Sequence, residues 1–283
     1  MISSKIPFLA IIFILNVGAL SAQNNELHVF LGLTNYQGEL NPQRFTTKGY
    51  NRGLGLIFRH GLSPKLFVRA GIQSGFISAS DSSSGDNKTR NLSFSSNIFD
   101  GHVALEYRLF TPEQHAITPY AFAGLGVFNF NPFVRFGPKD EKVFLQPLGT
   151  EGQGLPEYPD RKLYRITQLN IPFGGGLLWH VNEKLRIGGE IRLNKTFTDY
   201  LDDVSTNYAL QGPLLRDRGQ LAVDLAWRRD EVDGTPYPTN QLRRGNPEND
   251  DWYYYIGITV GFALSSGSRY YKQGRSAMGC PKW

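Results

Sequence analysis

The sequence predicts an all-β fold: an eight-stranded antiparallel up-and-down transmembrane β-barrel with long extracellular loops and short periplasmic turns. Three observations predict it. After the first 22 residues, successive segments carry apolar side chains at every second position. Between those segments, tight turns alternate with long polar connections. No stretch of about 18 apolar residues follows residue 22 that would cross a bilayer as a helix. A closed barrel is the other backbone that satisfies its own hydrogen bonds in lipid.

The N-terminus reads as a secretory signal over residues 1–22. Lys5 supplies the positive region, Ile6 to Val17 the apolar run, and Gly18-Ala19-Leu20-Ser21-Ala22 small residues for cleavage after Ala22. The run is short for a retained helical anchor. Cys280 is the only cysteine, so neither a lipid-modified cysteine at that cleavage site nor an intramolecular disulfide is expected. A barrel over 23–262 and a basic tail over 263–283 follow.

Strand one is read at Glu26 to Thr34, with Leu27, Val29, Leu31 and Leu33 on one face and Glu26, His28 and Gly32 on the other. Strand two runs near Tyr50 to His60, with Leu54, Leu56 and Phe58 apolar, and ends in the turn Gly61-Leu62-Ser63-Pro64. Strand three, Lys65 to Ile77, sets Leu66, Val68, Ala70 and Ile72 against Arg69, Gly71 and Gln73. A polar loop, Ser78 to Arg90, precedes strand four. There Phe99, Val103, Leu105, Tyr107 and Leu109 alternate with Asp100, His102, Glu106 and Arg108.

Strand five, Pro119 to Phe130, is rich in glycine and aromatics, and its facing is ambiguous. After a Pro- and Gly-containing segment, Asn131 to Asp160, strand six (Lys162 to His180) puts Leu169, Ile171, Phe173, Leu177 and Trp179 on one parity. Strand seven is the clearest: Leu185, Ile187, Ile191 and Leu193 against Arg186, Glu190, Arg192 and Asn194. The longest loop, Tyr200 to Asp250, precedes strand eight, Asp251 to Phe262.

A soluble barrel would pack its apolar face inward. Here the opposite face holds Arg69, Asp100, His102, Glu106, Arg108, Arg186, Glu190 and Arg192, an expected interior charge network that leaves no wide channel. Mean hydropathy of −0.33 with 13% aromatic residues suits half-apolar strands and aromatic girdles. The net charge of +5 is spread along the chain, so nucleic-acid binding is not expected. Trp179, Trp252, Tyr107, Tyr120 and Tyr164 read as girdle or lipid-facing residues.

No cofactor, metal or catalytic site is expected. Asp199, Asp202 and Asp203 have the oxygen chemistry for a cation, but read first as a helix-capping turn at the rim. Asn246-Pro247-Glu248-Asn249-Asp250-Asp251 lacks the spacing of a calcium loop. Of the five histidines, His28, His60, His115 and His180 fall at periplasmic strand ends and turns, and His102 falls among the interior charges. None suits chemistry on the outer leaflet. Gly174-Gly175-Gly176 lies within a strand and is no phosphate loop; it permits curvature or close strand approach. Tyr255, Gly257, Val260 and Phe262 match the C-terminal signal read by the barrel-assembly machinery.

Three segments resemble the Bacteroidota family of outer-membrane barrels that includes the PorG component of the type IX secretion system. They are Thr34-Asn35-Tyr36-Gln37-Gly38-Glu39-Leu40-Asn41, the run from Phe197 to Tyr208 centred on Asp199-Tyr200-Leu201-Asp202-Asp203, and the end Met278-Gly279-Cys280-Pro281-Lys282-Trp283. The resemblance implies an outer-membrane location and, more weakly, a non-enzymatic part in protein secretion with periplasmic ring proteins as partners. The tail residues Arg269, Tyr270, Tyr271, Lys272, Arg275, Lys282 and Trp283 are candidates for docking to an acidic periplasmic partner. A surface-binding barrel using its long loops is the alternative, and a lipid-modifying enzyme a weaker one.

Overall fold

The computed structural model describes residues 25–43, 46, 49–83 and 87–264. The signal segment and the tail docking residues Arg269, Tyr270, Tyr271, Lys272, Arg275, Lys282 and Trp283 lie outside the described residues.

The described residues form ten strands: β1 (Asn25–Gln37), β2 (Asn51–Gly61), β3 (Leu66–Ser80), β4 (Ser93–Arg108), β5 (Ile117–Phe130), β6 (Phe133–Phe136), β7 (Glu141–Phe144), β8 (Thr167–His180), β9 (Leu185–Thr196) and β10 (Trp252–Ala263). Eight of them pair in the order β3-β2-β1-β10-β9-β8-β5-β4, and a β3–β4 pairing closes the ring. Every pairing is antiparallel. The first and last strands meet from Glu26↔Ala263 to Gln37↔Trp252. This closed seam leaves the barrel without an exposed edge.

Side-chain parity follows the two-residue strand period. The outward face of β4 carries Phe99, Val103, Leu105 and Tyr107, each more than half exposed. Leu125 on β5, Leu169 and Leu177 on β8, and Ile258 and Phe262 on β10 continue the belt around the wall. In water each such side chain would forgo roughly 1.5–3 kcal/mol of burial. Inward positions hold Arg59, Arg69 and Arg192, all at 0% exposure. A greasy exterior around a charged interior is a membrane-spanning barrel and the inverse of a soluble one.

β5 resolves its ambiguous facing. Leu125 and Val127 point outward, while Tyr120, Phe122, Phe128 and Phe130 are buried inside. Tyr120 and Tyr164 are therefore not lipid-facing. Tyr120 sits in the lumen and Tyr164 in the connection after β7, each with its hydroxyl bonded to a buried carboxylate. Tyr107 and Trp179 do face outward, and Trp252 is half-buried against Phe173. Tyr254 has the outward parity, but Tyr50 packs across it.

Asn25, Leu264 and the three short turns lie at one end, the turn end; the connections 38–50, 81–92, 131–166 and 197–251 lie at the other, the loop end. The two longest connections are folded rather than open. The first contains the β6–β7 hairpin. The second contains α1 (Gln211–Arg218), α2 (Gln220–Ala226) and the single turn α3 (Asp230–Asp233). Leu155, Tyr158, Ala209, Leu214, Ala222, Val223 and Ala226 form a small apolar core between the two connections. The result is a cap over the loop end.

Candidate functional site

The lumen fills from the turn end upward with charges. Glu26 is forked by Arg108, with Nη1 to Oε1 at 3.1 Å and Nη2 to Oε2 at 2.7 Å. It also meets His28 at 3.0 Å. Arg108 reaches Glu106 through Nε at 3.0 Å. Glu190 is the hub. It accepts from Arg69 at 3.0 and 2.8 Å, from Arg59 at 3.1 Å and from the Tyr120 hydroxyl at 2.7 Å. Above it, Arg192 pairs with Asp100 and contacts His102 Nδ1 at 2.7 Å.

The planar guanidinium forks explain the preference for arginine, since Arg59, Arg69 and Arg108 each satisfy two carboxylates at once. Arg69 also stacks on Phe122 at 3.8 Å and Arg108 on Phe67 at 3.6 Å. Gly174 and Gly176 make room for this layer: they lie opposite Arg192 and Glu190 in the β8–β9 register. A Cβ at 176 would sit 2.8 Å from the Tyr120 hydroxyl.

All eight expected network residues are brought together, with Arg186 at the margin, 3.6 Å from Glu26 and bonded to the Asn182 carbonyl at 2.6 Å. Glu26, His28, Arg59 and Tyr120 also belong. Three of these carry the same signal as the rest, a polar residue on the parity opposite Leu27, Val29, Leu56 and Phe58. Tyr120 carries no such signal, because a tyrosine suits a girdle equally well.

Toward the loop end the lumen becomes aromatic. Phe30, Phe128, Phe130, Tyr253 and Tyr255 are buried together, and Arg192 lies under the Tyr255 ring at 4.5 Å. Of the C-terminal signal residues, Tyr255 is an interior member of this layer, Gly257 pairs with Gly32, and Val260 and Phe262 lie on the outward face. Among the described residues, the charge layer and the aromatic layer above it are both buried and fill the lumen.

Polar chemistry also concentrates beneath the cap. Asp203 accepts from the Thr150 hydroxyl at 2.6 Å and the Tyr164 hydroxyl at 2.8 Å. Glu151 accepts from Arg244 at 3.1 Å and from the backbone N–H groups of Ser205 and Thr206 at 2.8 and 2.9 Å. Asp202 accepts from the Tyr36 hydroxyl at 2.6 Å and the Val204 N–H at 3.0 Å. No helix begins at this turn, so the expected helix cap is instead an Asx-type turn, with Asp203 in the left-handed region at φ 65°. Burial pushes Asp203 up to about 6, opposed by Arg244.

Asp199 parts company with its two neighbours. It lies with Glu39 and Asp251, one carboxylate oxygen from each falling within 4.8 Å of the others. Burial, reinforced by Asp202 and Asp199, pushes Glu39 far above its ordinary range. Burial also raises Asp199, with Ser205 opposing and Asp202 adding to the rise. Asp251 rises for the same reasons, with Asp202, Glu39 and Asp199 around it. Two of the segments that carry the family resemblance, Thr34 to Asn41 and Phe197 to Tyr208, thus converge at this acidic pocket.

The histidines offer no site at the loop end. His28, His102 and His180 are buried in the lumen, His60 bonds Asn25 at 2.7 Å, and His115 packs on Phe110 in a turn.

Residues 5–142, just under half of the chain, match the family model described as Domain of unknown function (DUF6089). No curated protein sequence matches the chain. Among solved structures, Ail, the attachment invasion locus protein of Yersinia pestis, is similar with a TM-score of 0.40 at 8% identity, over 85% of this chain and 97% of that one. Neisserial surface protein A gives 0.40 at 8% identity, over 86% and 98%. A major outer membrane protein from Thermus thermophilus gives 0.40 at 12% identity, over 85% and 99%. At these scores the likenesses carry no weight for function, and the barrel assignment rests on the strand pairing itself.

Proposed function

We propose that the protein is a non-enzymatic outer-membrane anchor, with both termini periplasmic, serving as an accessory component of an envelope assembly. Type IX protein secretion is the assembly that the sequence resemblance suggests. The observation that carries this reading is the filled lumen. Arg59, Arg69 and Arg192 are fully buried among Glu106, Glu190 and Asp100 under an aromatic layer. Transport through such a barrel has no path, so the working surfaces are its two ends. Burial of His28, His102 and His180 away from the loop end supports the non-enzymatic part of the reading.

β10 runs to Ala263 and pairs there with Glu26, so the test is truncation from residue 265 onward, which spares the seam. The expected result is a normal level of heat-modifiable barrel with a secretion defect and loss of co-purifying periplasmic proteins in mild detergent. Unchanged secretion and unchanged co-purification would refute docking through the tail.

One observation favours the surface-binding alternative: the loop end is a folded cap with its own apolar core rather than solvated loops. Removal of 211–234, which carries the three helices, tests it. External binding that survives this removal would exclude the helical face as the binder.

A further inference from the structure

The acidic pocket under the cap differs from every other charged cluster in the described molecule. Lumen carboxylates face arginines. Asp81 is paired with Arg90, and Glu151 and Asp203 with Arg244. Among the described residues no ion pair reaches Glu39, Asp199, Asp202 or Asp251.

Asp202 is satisfied by hydroxyl and backbone donors. The other three are not. Glu39 has Oε1 fixed by the Asn246 N–H at 3.2 Å, and its Oε2 is buried without a partner. Asp251 has Oδ2 fixed by the Leu201 N–H at 2.9 Å, and its Oδ1 is likewise unpartnered. Asp199 is only 6% exposed, with Ser205 and Glu39 as its side-chain hydrogen-bonding neighbours and no arginine or lysine on either oxygen. Acidic clustering alone would not argue for an ion. The fully buried Asp251, its Oδ1 unpartnered and grouped with the unpartnered Glu39 Oε2 and the Asp199 carboxylate, does.

We propose that Glu39, Asp199 and Asp251 form a binding site for a hard divalent cation of the size of Ca2+. The donor set is all oxygen, which excludes a preference for soft metals. The three oxygens lie within 4.8 Å of one another, close enough for one ion to touch all three at Ca2+–oxygen distances of about 2.3–2.6 Å. Ca2+ also accepts the irregular arrangement of carboxylates from three separate segments more readily than the strictly octahedral Mg2+. Asn246 Oδ1, buried and unpartnered beside Glu39, is a neutral donor in reserve.

The placement assigns the ion a purpose. Glu39 follows β1, Asp251 precedes β10 and Asp199 follows β9. These strands are neighbours, and the β1–β10 pair is the closure seam. One ion would staple three segments across the seam and fix the base of the cap.

The test is calorimetric titration of CaCl2 into the full chain, purified in detergent and stripped with EDTA. Terbium luminescence excited through tyrosine gives a second readout, since Tyr36 and Tyr200 flank the acidic turn. One saturable Ca2+ site per chain is expected, weakened at least about tenfold in Asp199→Asn and in Asp251→Asn. Fold is checked by heat-modifiable gel mobility. If the Asp251 variant does not fold, Glu39→Gln, at a half-buried position, is read against the same threshold. Absence of saturable Ca2+ binding in the unaltered protein, full affinity in the Asp199 variant, or a site that takes Mg2+ in preference to Ca2+ would overturn the proposal.

Discussion

Replacing Glu190 with alanine is the sharpest perturbation of the barrel interior. The substitution removes four hydrogen bonds at once: two from Arg69, one from Arg59 and one from the Tyr120 hydroxyl. Arg59 and Arg69 are then left to share Glu106, at 2.9 and 3.4 Å. Both guanidiniums are fully buried, so water does not replace the lost carboxylate. Breaking a buried pair from one side costs about 3–5 kcal/mol, because the remaining charge is left uncompensated. The stack of Arg69 on Phe122 returns no more than about 2 kcal/mol and is present in both proteins.

The assay is a urea titration of the barrel in phospholipid vesicles, read by tryptophan fluorescence and by gel mobility without heating. Glu190→Ala is expected to lose about 3–5 kcal/mol. Glu190→Leu combined with Arg69→Met removes both partners, and should cost at least about 2 kcal/mol less than the two single changes together. A loss below about 1 kcal/mol for Glu190→Ala, or strict additivity in the double variant, would refute a lumen held by mutual charge compensation.

Other outcomes follow from the same geometry. Leu105→Arg places a charge on the lipid face and should destabilise the barrel by about 2–4 kcal/mol in vesicles, whereas an outward arginine that costs nothing would deny lipid contact. Gly176→Ala puts a methyl against the Tyr120 hydroxyl and the Gly189 carbonyl; a loss of about 1–3 kcal/mol in the same titration is expected. In planar bilayers the protein should show no stable open channel, and a steady conductance would contradict the filled lumen. In the ion-free protein Glu39 rises to about 9 and Asp199 to about 8 through burial and the facing Asp202. Raised carboxyl pKa values mean tighter proton binding when folded, so stability is full below about pH 4 and is lost as pH rises through 8 to 9. Limited proteolysis of the cap in EDTA should therefore be faster at pH 9 than at pH 6, normalised to an unfolded substrate, and Ca2+ should erase the difference.

The barrel was legible because lipid imposes a strict parity on strands that lie between two solvents. Leu27 to Leu33 and Phe99 to Tyr107 declare that parity without any knowledge of partners, and Arg69, Glu106 and Glu190 fall inward as a consequence. Tyrosine blurs the signal: Tyr120 is a lumen donor and Tyr164 a cap residue, yet each has the amphipathic character of a girdle. The loop regions were less readable. Pro- and Gly-bearing stretches conceal the β6–β7 hairpin, and α1 and α2 bury apolar side chains against Leu155 and Tyr158 from the other connection. The acidic pocket illustrates the limit most clearly. Asp199, Asp202 and Asp203 look like one unit in sequence, but Asp203 turns to Tyr164 and Thr150, and Asp202 to Tyr36. Asp199 instead joins Glu39 and Asp251, which only barrel closure brings within reach.

Spin labels placed singly at positions 99 to 106 of β4, in the protein reconstituted into bilayers, test the central claim most directly. Phe99, Val103 and Leu105 should give labels open to collision with oxygen dissolved in lipid and shielded from a water-soluble nickel chelate. Labels at Asp100, His102 and Glu106 should be immobile and inaccessible to both. Loss of the alternation, or nickel access along the outward positions, would contradict a charged lumen wrapped in a lipid-facing wall.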